Sequence, residues 1–428
     1  MNLSVRKLSA DYPIYQKLDR IAATLMALCP VLQHYKAPLY NAALTVMVLL
    51  VPYLMLRMVG KIKDFRLADL RPVWALIAYM IYRVVDHGTS VTELGQSAVL
   101  IVIFLAAAMG CIDLKWMCRS ALIVACTASA ILIIQYIGFY LFAFHLQVVP
   151  VSLLLPTADQ WVLGAQTGLV GVTGVIRTNG FYRPSAFFLE PSHAYIYMFP
   201  HLLVVLFGKK HGRYEYLIAI LLSLGLVMST SGMGIAVVCA AWGIYLAFYD
   251  RKAQAFTFKN FQRRGTKIVL LGACVAFLLA VIFVAPIRKT VVRIFFSSGS
   301  SAIGGRIASA LGDLINLTPK QWIFGVTDTT HGIGHNMPGA IASIYRHGLI
   351  GGILAMDFYT KSMWKLRMPF WLVAGVIFVT SFFSAHTHST VGMMYYVLIL
   401  MRGYQTRMRT QSIFADLRDT LKGQKTDR

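Results

Sequence analysis

The sequence predicts an all-α fold: a polytopic membrane bundle of about twelve transmembrane helices, with two long loops on its outer face. Three observations carry this. Hydrophobic residues make up 57% of the 428 and charged residues only 13%, where a soluble globular protein has about 25% charged. The mean hydropathy is +0.65. Apolar runs of helical length recur along the whole chain and alternate with short basic linkers, which fits a chain of membrane spans rather than a soluble domain with one anchor.

In order, residues 1–20 are polar and basic, with Arg6, Lys7, Lys17 and Arg20. They lack the compact apolar core and small-residue cleavage site of a removable leader. Spans are expected at about 21–36 and 39–57; Pro30 and Gln33-His34 make the first the least regular. A linker with Arg57, Lys61, Lys63, Arg66 and Arg71 leads to a third span at about 72–85, then a loop with Asp86 and His87. The fourth span, about 93–111, is followed by Lys115 and Arg119, and a long fifth covers about 120–143. Hydrophobicity drops over about 144–192, where Pro150, Pro156 and glycines at 164, 168, 171, 174 and 180 give loop composition with short re-entrant pieces.

Span six, about 193–208, ends in Lys209, Lys210 and Arg213. Span seven, about 214–230, meets span eight, about 234–249, through the tight turn Ser229-Thr230-Ser231-Gly232. A linker with Arg251, Lys252, Lys259, Arg263, Arg264 and Lys267 precedes span nine at about 268–286. The second long segment runs over about 287–338. Spans ten to twelve fall at about 339–357, 370–385 and 389–403, and a basic tail covers 404–428.

With the N-terminus in the cytoplasm, every short basic linker and the tail fall inside, and both long segments fall outside, as the positive-inside rule requires. The net charge of +23 is then a topology signal rather than a sign of nucleic-acid binding. The chain reads as one integral membrane domain without an internal repeat. Loops following spans five and nine do not match a two-halves transporter. The six cysteines fall in spans or at their inner ends, so no external disulfide framework is expected.

The outer segments hold basic residues that the charge rule does not explain. Arg288, Lys289 and Arg293 interleave with Ile287, Val291, Val292 and Phe295, the pattern of an interfacial amphipathic piece. Arg177, Arg183 and Arg306 sit among glycines and aromatics and suit an anionic ligand, because a guanidinium makes bidentate, charge-assisted bonds to phosphate. Glu190-Pro191-Ser192-His193 opens span six, with Pro191 at the first helical position. Glu190 or Ser192 would cap the helix, or Glu190 or His193 would handle a proton. Arg183 would pair with Glu190 or with a ligand phosphate. His331-Gly332-Ile333-Gly334-His335-Asn336 gathers two histidines and an asparagine among glycines that allow close approach. His347 reads as structural, His386 and His388 as cavity-lining or interfacial, and Arg83 with Asp86 as a local ion pair. Outer carboxylates are few and unclustered, so neither a metal nor another cofactor is expected.

The stretch FYRPSAFFLEPSHAYIY, from Phe181 to Tyr197, resembles the segment of bacterial O-antigen and capsule polymerases (the Wzy family) in which an arginine-rich outer loop meets a helix start. The Ser229–Met233 turn is similar to one those proteins carry two spans later. Gly305-Arg306, Trp322-Ile323-Phe324-Gly325-Val326, His335-Asn336 and Gly348-Leu349-Ile350-Gly351 are similar to a pattern shared with the O-antigen ligases.

The resemblance implies a bundle related to the C-type glycosyltransferase (GT-C) fold, acting at the outer face of the bacterial cytoplasmic membrane. Metal-independent, inverting transfer would join repeat units carried on undecaprenyl diphosphate. Donor and acceptor would both be lipid-linked, with a chain-length regulator and a flippase as further partners. By position, Arg177, Arg183 and Arg306 would bind the diphosphate, with His331 and Asn336 beside the substrate. Glu190, His193 and His335 are the alternative bases. A ligase using lipid A core as acceptor, and a glycan-lipid flippase, are the competing readings.

Overall fold

The structure is a computed structural model. It describes residues 13–38, 40–61, 91–144, 182–207, 213–250, 264–295, 311–326, 348–353, 391–399 and 401–402, with scattered residues between them. The fold is all-α. Its helices with both ends described are α1 (Pro13–Leu32), α2 (Ala42–Lys61), α3 (Val91–Ala108), α4 (Leu114–Phe142), α5 (Pro191–Phe207), α6 (Arg213–Met228), α7 (Gly232–Phe248), α8 (Arg264–Phe283), α9 (Ala285–Phe295) and α10 (Pro319–Phe324), and residues 311–315, 348–353 and 391–399 are helical as well. Among the described residues, three two-residue antiparallel pairings tie turns: β1 (Lys36–Ala37) with β2 (Tyr40–Asn41), β3 (Val170–Gly171) with β4 (Gly174–Val175), and β5 (Tyr249–Asp250) with β6 (Ala255–Phe256).

Six of the expected spans, at about 39–57, 93–111, 193–208, 214–230, 234–249 and 268–286, coincide with α2, α3, α5, α6, α7 and α8 within a few residues. The first helix is displaced. It starts at Pro13, whose fixed φ suits a first turn, and ends at Leu32, leaving Gln33 and His34 in the turn after it. The fifth begins at Leu114 because the Asp113 side chain accepts the Trp116 backbone N–H. It stops where Ala143 turns left-handed and Phe144 N–H reaches back to the Gly138 carbonyl at 2.8 Å. The second long segment is not a plain loop. It opens on α9, the expected amphipathic piece, with Arg288 and Lys289 exposed, and it holds α10. The expected span at 370–385 and the tail at 404–428 lie outside the described residues.

α4 is the central helix and packs on α1, α5 and α6. It buries Ala121, Ala125, Ala128, Ser129 and Gln135 and exposes Ile123, Ile134 and Leu141. Small and polar residues make up most of its buried face, beside Leu114, Met117 and Leu132, while large aliphatics also face outward. Helices packing in lipid do this, because close backbone approach replaces the hydrophobic drive. Gly225 of α6 shows how close: a Cβ there would lie 2.7 Å from Ser129 Cα. α2 and α4 are each long and apolar enough to cross a membrane, with hydropathy of 2.1 over their best windows. α8 exposes Ile268, Leu271, Leu278 and Phe283.

Among the described residues, Arg57, Lys61 and Asp19 meet at one end of the bundle. Arg57 at the end of α2 makes a two-pronged contact with Asp19 near the start of α1, 3.1 Å from Nε and 2.8 Å from Nη2. Tyr53 donates to the same carboxylate at 2.6 Å. Lys61 Nζ reaches the Gly110 carbonyl at 2.6 Å, bringing the ends of α2 and α3 together. Cys29, Cys111, Cys118, Cys126 and Cys239 are free thiols.

Candidate functional site

The segment Tyr182–Glu190 lies at the opposite end of the bundle, where α1 and α4 finish and α5 begins. It is sequestered rather than loop-like: Tyr182, Pro184, Ser185, Ala186 and Phe188 are buried. Two elements clamp it. From α4, the Gln135 side chain accepts the Ala186 N–H at 2.9 Å and donates to the Leu146 carbonyl at 3.0 Å. Tyr140 donates to the Tyr182 carbonyl at 3.0 Å, and Phe139 packs on the Tyr182 ring with centroids 4.5 Å apart. From the turn after α1, Tyr35 donates to the Phe187 carbonyl at 2.8 Å. Burial pushes the Tyr35 phenol up to about 12 and raises Tyr182 further still, so both stay neutral hydroxyls. Ala186 sits at φ 53°, a left-handed conformation that a residue with a Cβ rarely takes. The Gln135 bond pins that geometry.

Of the sequence-predicted residues, Arg183, Glu190 and His193 fall in this assembly. Arg183 is half-buried, with its Nε sealed from solvent. α5 begins at Pro191 as the sequence predicts, and the Glu190 carbonyl accepts the N–H groups of His193 at 3.0 Å and Ala194 at 3.4 Å. The Glu190 carboxylate takes the Ser192 hydroxyl at 2.8 Å. His193 points inward and is buried, its ring stacked on His34 with centroids 4.4 Å apart. A cavity of ≈ 20 Å³, room for one water, lies under it between Pro30, Gln33, Ile196, Tyr197, Gly392, Tyr395 and Tyr396. Arg177, Arg306, His331, His335 and Asn336 lie outside the described residues, as do His347, His386, His388, Arg83 and Asp86.

The structure joins two of the quoted late-chain motifs. α10 is set by Thr318, which forms a reciprocal capping box with Gln321. After it, Val326 N–H donates to the Tyr345 carbonyl at 2.8 Å. Gly348, at φ 64°, lies against the Ile323 carbonyl so closely that a Cβ would overlap it. Trp322–Val326 and Gly348–Gly351 are therefore one docked unit, and Gly348 is required by both backbone angle and space. The Ser229-Thr230-Ser231 turn is fully buried, with Ser231 capping α7 and Thr230 left-handed at φ 53°.

Sequence reasoning missed how Gln135 of α4 and His34 and Tyr35 of the turn after α1 hold the candidate segment. Gln135 stands in an apolar run that offers no reason for it, and the polar stretch at 33–36 does not say what it meets. Deeper along α5, His201 Nε2 lies 2.6 Å from the Tyr395 hydroxyl, which donates to the Tyr197 carbonyl at 3.2 Å. Tyr197 stacks on Tyr395 and donates to the Ala27 carbonyl at 2.8 Å. A buried polar cluster thus runs along α5. No protein-family model and no curated protein matches this chain.

Proposed function

We propose that this chain is a polytopic membrane glycosyltransferase of the GT-C type, a polysaccharide polymerase of about twelve spans. It would join undecaprenyl-diphosphate-linked repeat units at the outer face of the bacterial cytoplasmic membrane. Both termini would be cytoplasmic, because the end carrying Arg20, Arg57, Lys61, Lys115 and Arg119 is the basic one. The carrying observation is the immobilised Tyr182–His193 segment. It holds an arginine, a carboxylate and a helix start at the end of the bundle opposite those charges.

In this reading Arg183, with Arg177 and Arg306, stabilises the diphosphate leaving group, whose charge grows in the transition state. Glu190 is half-buried and held by Ser192, so it suits deprotonation of the acceptor hydroxyl. His193 is buried and stacked on His34. Glu190, His193 and His335 are the bases to separate. His331 and Asn336 would line the acceptor side, and a chain-length regulator and flippase would be partners. The acceptor sugar oxygen bonds to the donor anomeric carbon as the bond from that carbon to the diphosphate oxygen breaks. The hydroxyl proton passes to the base.

The test is purified protein with a synthetic undecaprenyl-diphosphate oligosaccharide and a chelator. The expected result is a ladder of longer lipid-linked products, reduced about 10²-fold or more in Arg183→Ala and lost in Glu190→Gln or His335→Ala. Donor consumption only when a lipid A core is present would make it a ligase. The buried His201–Tyr395–Tyr197 cluster favours a second reading, passage of a glycan-lipid through the bundle. Transbilayer movement of intact donor without new bonds would establish that reading and overturn polymerisation.

A further inference from the structure

At the basic end, α1 and α4 meet around one indole. Trp116 Nε1–H donates to Thr24 Oγ1 at 3.0 Å. Thr24 in turn donates to the Arg20 carbonyl at 2.9 Å, with Ser120 Oγ 3.2 Å away. The ring is therefore fixed by its edge, and two guanidiniums gather on it: Arg20 Cζ is 4.9 Å and Arg119 Cζ 5.8 Å from its centroid. Both arginines are exposed, as are Lys17 and Lys115 nearby.

The neighbouring carboxylates are already engaged. Asp19 is held by Arg57 and Tyr53, and Asp113 caps α4 through the Trp116 N–H. Among the described residues neither arginine has an acidic partner, so two like charges converge on one ring. Ile21, beside Arg20, and Ile123, one helical turn deeper than Arg119, are exposed apolar side chains. A phosphodiester bearing acyl chains satisfies both halves of this surface: the guanidiniums take the phosphate and the isoleucines take the chains.

We propose that the α1–α4 seam binds the headgroup of an anionic phospholipid through Arg20 and Arg119, braced on Trp116. This is independent of the activity proposed above, and its test reads no turnover. The full-length protein in nonionic detergent would be titrated, in separate arms, with dioleoylphosphatidylglycerol, dioleoylphosphatidylcholine and inorganic phosphate, with bound species counted by native mass spectrometry. The expected result is preferential phosphatidylglycerol binding, weakened roughly 30-fold in Arg20→Gln/Arg119→Gln, on the basis of the usual contribution of two basic residues near an anionic surface. Lys267→Gln/Lys320→Gln, which removes equal charge elsewhere, should bind like wild type. If the double variant does not fold, Arg119→Gln alone should bind roughly fivefold more weakly. Equal binding by wild type and arginine variants, equal binding of phosphatidylcholine, or arginine-dependent binding of inorganic phosphate at the same affinity would each overturn the proposal.

Discussion

Gln135 is a single amide in an otherwise apolar stretch of α4, and both ends of its side chain are used. Its oxygen holds the left-handed Ala186, and its nitrogen holds the chain leaving α4. Replacing it by leucine keeps the volume but strands a buried N–H and a carbonyl, at roughly 1–3 kcal/mol each. Gln135→Leu is therefore expected to lower the unfolding temperature. It should also open the 182–190 segment to limited proteolysis before the rest of the bundle, and unchanged cleavage would sink this account. The sequence shows Gln135 but not what it holds, since its partners lie 51 and 11 residues away. Pro191 is the contrasting case. Its placement at the start of α5 follows from the proline ring alone.

At the scale of elements, helix positions were largely legible because apolar runs of fixed length have one stable form in lipid. Errors fell at helix ends, where local bonds decide. Asp113 sets the start of α4, and Pro13 draws α1 back over Lys17 and Arg20. The α4–α6 contact depends on Gly225 lying against Ser129. A methyl group at that position must push the helices apart, with a penalty of about 1–3 kcal/mol. Gly225→Ala should show this as a drop in thermal stability. Ser129→Gly in the same chain should recover part of it, and a lack of recovery would place the effect elsewhere. The amphipathic character of α9 was readable from the alternation of Arg288, Lys289 and Arg293 with Ile287, Val291, Val292 and Phe295. Its separation from α8 at Val284 was not.

Over the described residues, the basic group of Arg20, Arg57, Lys61, Lys115 and Arg119 lies at the end of the bundle opposite the immobilised segment, which gives the membrane orientation a direct check. Alkaline phosphatase fused after Phe144 or Phe295 should be active, and fused after Gly110 or Asp250 it should be inactive. The reverse pattern would invert the topology and put the candidate segment in the cytoplasm. The exposed apolar side chains of α4 and α8 belong to the same picture, since water offers no reason to present Leu141 or Phe283 outward.

By itself the sequence determined that the chain is helical and apolar along most of its length. It also located the basic linkers and the helix start at Pro191, because composition, run length and proline geometry act locally. Only the tertiary structure decided that Tyr182–Glu190 is a clamped, buried segment and that His193 stacks on His34. It alone docked Gly348 against the Ile323 carbonyl and drew Arg20 and Arg119 onto one indole. Those arrangements join residues far apart in the chain through single hydrogen bonds and close backbone contacts, and no local pattern records which distant partner a lone polar residue meets.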